Sequence, residues 1–252
     1  MKPQNISIND LWNAVPAGGE RGKFSAEQVR GLPLAAQRYL RHAIAEGTPL
    51  ASAVRLKMRG EIKLNGRWWP FKAEQVNHWG RGFIWAATAR MNGLPVRGSD
   101  RLVDGYGAML WKLLGLFPVV NASGPQLARS AAGRINAEVC WLPAALAHAD
   151  VCWRAADETH AVAHFNAHGE PTDLEMEIDP EGRMKACKLR RWGDLNSGTF
   201  RYEDFGGEVD EERTFGGYTI PSRLRVGWFY GSQRFADEGD FFHATVEWAE
   251  FK

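Results

Sequence analysis

The chain has little cysteine, almost no net charge and no long apolar run. Its three cysteines, Cys140, Cys152 and Cys187, cannot all pair, and no two stand at a metal-ligand spacing. Each has apolar or Trp neighbours, so all three read as buried, reduced thiols. Net charge is +1 from 31 basic and 30 acidic side chains, and no basic stripe breaks the mixture, which argues against a nucleic-acid partner. The densest basic run, residues 185–191, alternates like a strand with one solvated face. No window approaches the ~20 apolar residues of a transmembrane helix. Residues 1–10 carry one lysine and no apolar h-region, so no secretory signal is legible. The expectation is a soluble, cytoplasmic protein, with removal of a native membrane anchor as the alternative. Gly-x-Ser-x-Gly is absent, which removes a nucleophile elbow. Gly105-x-Gly107 lacks the Lys-Ser/Thr that follows in a phosphate loop. No cofactor is expected.

What the chain holds in quantity is tryptophan: eleven in 252 residues. So much indole either fills a wide core or lines a cavity with large, stiff, amphipathic side chains. The spacing of the other residues says where these indoles sit.

Residues 1–50 read as a helical segment. Ser25 with Gln28 is a capping box, and Leu34, Ala35, Tyr39, Leu40, Ala43 and Ile44 recur at helical spacing until Gly47 and Pro49. From Val54 the period becomes two. Val54, Leu56, Met58 and Ile62 alternate with Arg55, Lys57, Arg59 and Glu61, and Asn65-Gly66 supplies a type I′ hairpin turn. The partner strand, about 67–76, contains Pro70, which predicts an edge position or a bulge. Strands over 82–91 and 96–103 follow, with Asn92-Gly93 between them. Residues 106–120 read as strand then short helix around Gly115, and 126–148 as an inserted helix. Strands return over 151–153, 161–167, 174–178, 184–189, 218–220, 223–230 and 241–251. Many antiparallel strands and few helices predict an α+β fold over 51–252: a strongly curved antiparallel sheet, an open or half barrel, wrapped over a few helices.

Leu32-Pro33 with Arg38-Tyr39-Leu40, Gly82-Phe83-Ile84-Trp85, Gly98-Ser99-Asp100, Gly105-Tyr106-Gly107, Arg134 with Glu138, Trp141-Leu142-Pro143, and Gly217-Tyr218-Thr219-Ile220-Pro221 with Trp228 resemble a large bacterial family classed as a domain of unknown function. The resemblance runs from about Leu32 to the C-terminus. The layout also resembles the periplasmic lipoprotein carriers (LolA-like), in which an open half-barrel closed by helices holds acyl chains. That likeness implies a hydrophobic-ligand cavity and brings no catalytic residues. The lack of an export signal is a departure from those carriers.

Three constellations invite chemistry. His160, His164 and His168 stand four apart, about 13 Å on a strand, too far to share one ion; the apolar alternates Ala161, Ala163 and Phe165 would be buried and the histidines solvent-facing. No metal site is expected. Arg134 and Glu138 fall on one helical face, either as a structural ion pair or as an anchor for a carboxylate or phosphate headgroup. Asp100 is either a turn residue or an inward acid or base. Cys140 has no histidine partner in view. Trp68 and Trp69 are adjacent in a strand and must face opposite sides, so at least one should be exposed, offering contact to a membrane surface or a protein.

The leading expectation is binding or carriage of a hydrophobic, lipid-like or apolar small molecule in a cavity lined by Trp85, Trp111, Trp141 and Trp228, with Arg134 and Glu138 at its polar end. The alternative is an enzyme of cyclase, isomerase or hydrolase type on an apolar substrate, using Asp100, Glu138 and Arg134.

Overall fold

Period-two burial runs through most of the chain. In the computed structural model, which describes residues 2–15, 22–195 and 198–252, the strands are β1 (Ala53–Leu64), β2 (Arg67–His78), β3 (Gly82–Met91), β4 (Leu94–Val103), β5 (Tyr106–Leu113), β6 (Phe117–Ser123), β7 (Cys152–Ala155), β8 (His160–Ala167), β9 (Glu170–Ile178), β10 (Met184–Asp194), β11 (Phe200–Phe215), β12 (Tyr218–Trp228) and β13 (Asp240–Phe251). They form one 13-stranded sheet in the order β6-β5-β4-β3-β2-β1-β13-β12-β11-β10-β9-β8-β7. Two meanders, β1–β6 and β7–β13, are fused where the first strand pairs antiparallel with the last. The sheet is curved and unclosed. Its two edges, β6 and β7, are consecutive in the chain, so the segment joining them must cross from one edge to the other.

That segment is helical. α3 (Pro125–Ala137) starts on a first-turn proline, where the missing N–H costs nothing. It packs against β4 and β5 on one side and β9 and β10 on the other. The expected single helix over 126–148 is broken: a 3-10 turn follows at Glu138–Trp141, and Pro143 opens a separate short helix, α4 (Pro143–Leu146). Proline cannot continue the i→i−4 ladder, so the chain turns there.

Near the N-terminus lie α1 (Ile8–Asn13) and α2 (Leu34–Ala43). Ser7 and Asp10 form a capping box for α1, and Ser25 and Gln28 form the expected one at a 3-10 turn over Ala26–Val29. The helical expectation for residues 16–21 lies outside the described residues. α1 covers the outer face of the sheet: Leu11 and Trp12 pack with Ile6, Val76, Ile84 and Val103. The alternate residues Phe83 and Trp85 face inward and join the main core with α2, α3 and α4.

Two local expectations change. Residues 106–120 are two strands, β5 and β6, joined by a tight turn at Leu114-Gly115, with no helix. Pro70 sits within β2 without a bulge, at a position paired with Glu61 of β1. The β2–β3 ladder begins only at Phe71, so the edge that a proline requires exists locally.

Candidate functional site

Between the concave face and α3 lies a cavity of about 810 Å³. Phe83, Trp85, Trp141, Phe205, Trp228 and Phe242 border it, together with many charged side chains. Trp85 is 2% exposed and meets Phe71 edge-on at 5.5 Å. The Trp228 indole lies over Gly193, where a Cβ would come within 2.4 Å of the ring; only glycine lets the indole sit flat on β10. Residues 62–66, at the β1–β2 hairpin, also border it.

The floor is polar. Asp100 stands mid-strand in β4, so the turn role expected as one of its two readings is not the one it has. Arg134, in the last turn of α3, donates from Nη1 to Asp100 Oδ2 at 3.0 Å and from Nε to Glu138 Oε1 at 2.8 Å. Trp111 Nε1–H donates to Asp100 Oδ1 at 2.8 Å, and Gln75 and Asn77 donate to Glu138 Oε2 at 2.5 and 3.4 Å. All four carboxylate oxygens are engaged. The faces of Phe83 and Trp85 flank the Arg134 guanidinium at 4.8 and 5.1 Å. Burial works against the charge of Arg134, but Glu138 and Asp100 outweigh it and hold the guanidinium more firmly protonated than usual. Burial pushes the Asp100 carboxyl up, against the pull of Arg134 and Trp111. A buried pair built this way is held by its extra hydrogen bonds as much as by charge.

Arg191, on β10, was missed by the sequence reading, which took the basic run around it for a solvated face. It borders the cavity, its Nε donates to the Ser130 carbonyl at 3.2 Å, and its guanidinium lies over Phe205 at 4.5 Å and Trp228 at 5.0 Å. Among the described residues no carboxylate lies within ion-pair distance of it. Burial, reinforced by the like charge of Arg134, brings its pKa down to about 9. The Trp85 Nε1–H is buried away from the cavity space and has no acceptor. Arg191 is thus a cation at the cavity wall with no carboxylate in direct contact, and Asp100 and Glu138 act on it only from a distance.

The other expected residues fall as follows. Trp85, Trp141 and Trp228 border the cavity, whereas Trp111 does not; its ring lies tilted against Trp85 at 5.5 Å and its indole N–H holds Asp100. Trp141 is anchored by its indole N–H on the Pro221 carbonyl at 3.0 Å. Neither Trp68 nor Trp69 is freely exposed: both are half-buried, and Trp68 stacks on His243 at 4.2 Å. The next strand's side chains cover what strand geometry alone left bare. His160 and His164 face solvent against different carboxylates, Asp157 and Asp173. His168 does not: it is half-buried in the β8–β9 turn beside Trp79. Cys140 is buried and Cys187 half-buried, but Cys152 is exposed on the short edge strand β7, where one face has no covering layer. Burial drives the Cys140 thiol well up and the Cys187 thiol to about 12, far from nucleophilic at neutral pH.

Together these features define an open antiparallel half-barrel whose helix-covered interior is an aromatic cavity with a charged floor. Residues 22–237 match the family of unknown function DUF6544, and the chain belongs to that family. No curated protein matches it. Similar solved structures include a LolA superfamily protein from Nitrosomonas europaea (8% identity, covering 86% of this chain and 92% of that one, TM-score 0.46). Others are a domain from Vibrio parahaemolyticus described as an outer membrane lipoprotein-sorting protein (10%, 90% and 94%, 0.45) and a DUF1329 family protein from Desulfovibrio piger (10%, 80% and 86%, 0.42).

Proposed function

We propose that the protein binds and carries an apolar, lipid-like molecule with one anionic end, its body along the aromatic wall and its acid group against Arg191. The observation that carries this is a guanidinium in an aromatic cavity without a carboxylate partner. A half-buried cation with no carboxylate in contact costs free energy in the empty protein, and a ligand carboxylate or phosphate removes that cost with charge-assisted hydrogen bonds. At about 810 Å³ the cavity is of ligand-pocket size. Arg134, first expected to anchor the ligand, has its charge matched by Asp100 and Glu138; it orders the floor.

The enzymatic alternative draws on the convergence of Asp100, Glu138 and Arg134 and on the raised pKa of Asp100. Carriage is favoured because both carboxylates are tied to Arg134, whose charge holds them as ion-pair partners. Native mass spectrometry of the purified protein, with analysis of its organic extract, tests the proposal. One bound molecule with an aliphatic body and an acid group is expected. Protein that is ligand-free and also fails to bind palmitate would count against it.

A further inference from the structure

Three hairpin turns of the first meander project from one end of the sheet: β1–β2 at Asn65-Gly66, β3–β4 at Asn92-Gly93 and β5–β6 at Leu114-Gly115. Each has positive φ at both central residues, 51° and 75°, 48° and 83°, then 55° and 74°. Asn-Gly suits that type I′ geometry. Leucine does not, since a bulky side chain is rarely found at positive φ. The third turn therefore uses a residue that its backbone disfavours and that water disfavours as well.

The apolar display continues on both sides of that turn. Leu116, Phe117 and Val119 are 71%, 62% and 56% exposed, and Leu64 and Leu94 stand exposed at the neighbouring turns. Every residue of β6 is exposed, so this strand shows apolar side chains on both of its faces. Segments 62–68, 90–97 and 110–120 also carry Lys63, Arg67, Arg90, Arg97 and Lys112 and no acidic residue. None of the five has a carboxylate partner among the described residues. The turns at the opposite end are different in kind: there Arg81 pairs with Asp104.

We propose that this rim docks on a lipid bilayer bearing anionic headgroups, with Leu114, Leu116 and Phe117 entering the interface and the five cations lying over the phosphates. Six strands at ~4.8 Å spacing give the rim a width of about 24 Å. A bilayer fits better than a protein partner because apolar groups on both faces of one strand need an apolar medium around them. Strand addition at β6 is opposed by Pro118 and by the bulge at Trp111/Lys112. Residues 62–66, which border the cavity, lie on the same rim, so a docked molecule brings that part of the cavity wall to the membrane. The docking does not depend on the cavity proposal: Leu114, Leu116 and Phe117 do not border the cavity.

Sedimentation with vesicles tests it, using phosphatidylcholine alone and phosphatidylcholine with 30% phosphatidylglycerol, at about 0.1 M salt where surface charge is only partly screened. The intact protein should bind the anionic vesicles at least tenfold more tightly. Leu114→Asn should lower that affinity several-fold while the melting temperature stays equal or rises, because Asn is what the other two turns use. The double variant L116Q/F117Q should lose tenfold or more. R97E/K112E should lose the preference for anionic lipid. Absence of binding to either vesicle, or variants that bind like the parent, overturns the proposal. So does a dimer that L116Q/F117Q dissociates without any vesicle binding, since the patch is then an interface between copies.

Discussion

Replacing Arg191 with methionine should make the empty protein more stable and the carrier worse. The guanidinium is brought from its ordinary 12.5 to about 9 by burial, which corresponds to a penalty of about 5 kcal/mol on the charged form at 1.36 kcal/mol per pKa unit. Water entering the open cavity screens part of this, and the stacking on Phe205 and Trp228 offsets about 1 kcal/mol more. Methionine keeps the apolar contact without the charge, so we expect a net gain of about 1–2 kcal/mol, or about 2–6 °C in Tm for a chain of this length. The same change removes the cation facing the ligand acid, a loss of about 2–5 kcal/mol, or at least about 30-fold in Kd. Thermal unfolding of the ligand-free protein and tryptophan-fluorescence titrations with palmitate and with hexadecanol read the two effects separately. Hexadecanol, lacking the charge, should bind both proteins alike. A variant less stable than the parent by more than about 1 kcal/mol, or one that binds palmitate undiminished, refutes the assignment of Arg191.

The lowered pKa of Arg191 carries a pH signature: palmitate affinity should hold from about pH 6, where the ligand carboxyl is ionised, to about pH 9, and fall as pH rises further and the unliganded protein sheds that proton. The linkage for folding has the opposite sense. The penalty on Arg191 is complete below pH 9 and is relieved above it, because there the unfolded chain binds the proton that the folded one has lost. Glu138→Ala leaves Gln75 and Asn77 without their acceptor and Arg134 with one carboxylate; urea unfolding should show a loss of about 2–4 kcal/mol. Gly193→Val drives a side chain into the Trp228 ring and should shrink the cavity, lowering palmitate affinity while far-UV circular dichroism stays unchanged. Iodoacetamide at pH 8 should label Cys152 alone in the native protein and all three thiols in urea, counted by intact mass.

The sheet was legible wherever alternation was uninterrupted. β1, with Asn65-Gly66 after it, and β8, whose buried alanines alternate with exposed polar residues, show both faces in the sequence. β11 showed neither. This 16-residue strand is rich in Asp and Glu, which lower strand propensity. Its solvated side is held by pairs such as Glu208 with Arg225, which only the register with β12 brings together. The 106–120 segment misled for a related reason: leucine in a type I′ turn hides the turn that asparagine announces twice elsewhere. In the site, the Arg134–Glu138 pair followed from helical spacing. Its extension to Asp100, and the capture of Asp100 by Trp111, depended on the pairing of β4 with β5. Arg191 was invisible because a basic strand residue reads as solvated until the helix that roofs it, α3, is placed. The same lack of neighbours made Trp68 and Trp69 look barer than they are.

A crystal structure of the complex with a terminally brominated sixteen-carbon fatty acid tests the central claim most directly. The account predicts a bromine peak inside the aromatic wall between Trp141 and Trp228, and the carboxylate within hydrogen-bond distance of the Arg191 guanidinium. An empty cavity with bromine only on the outer surface, or a buried chain whose carboxylate points away from Arg191, would contradict it.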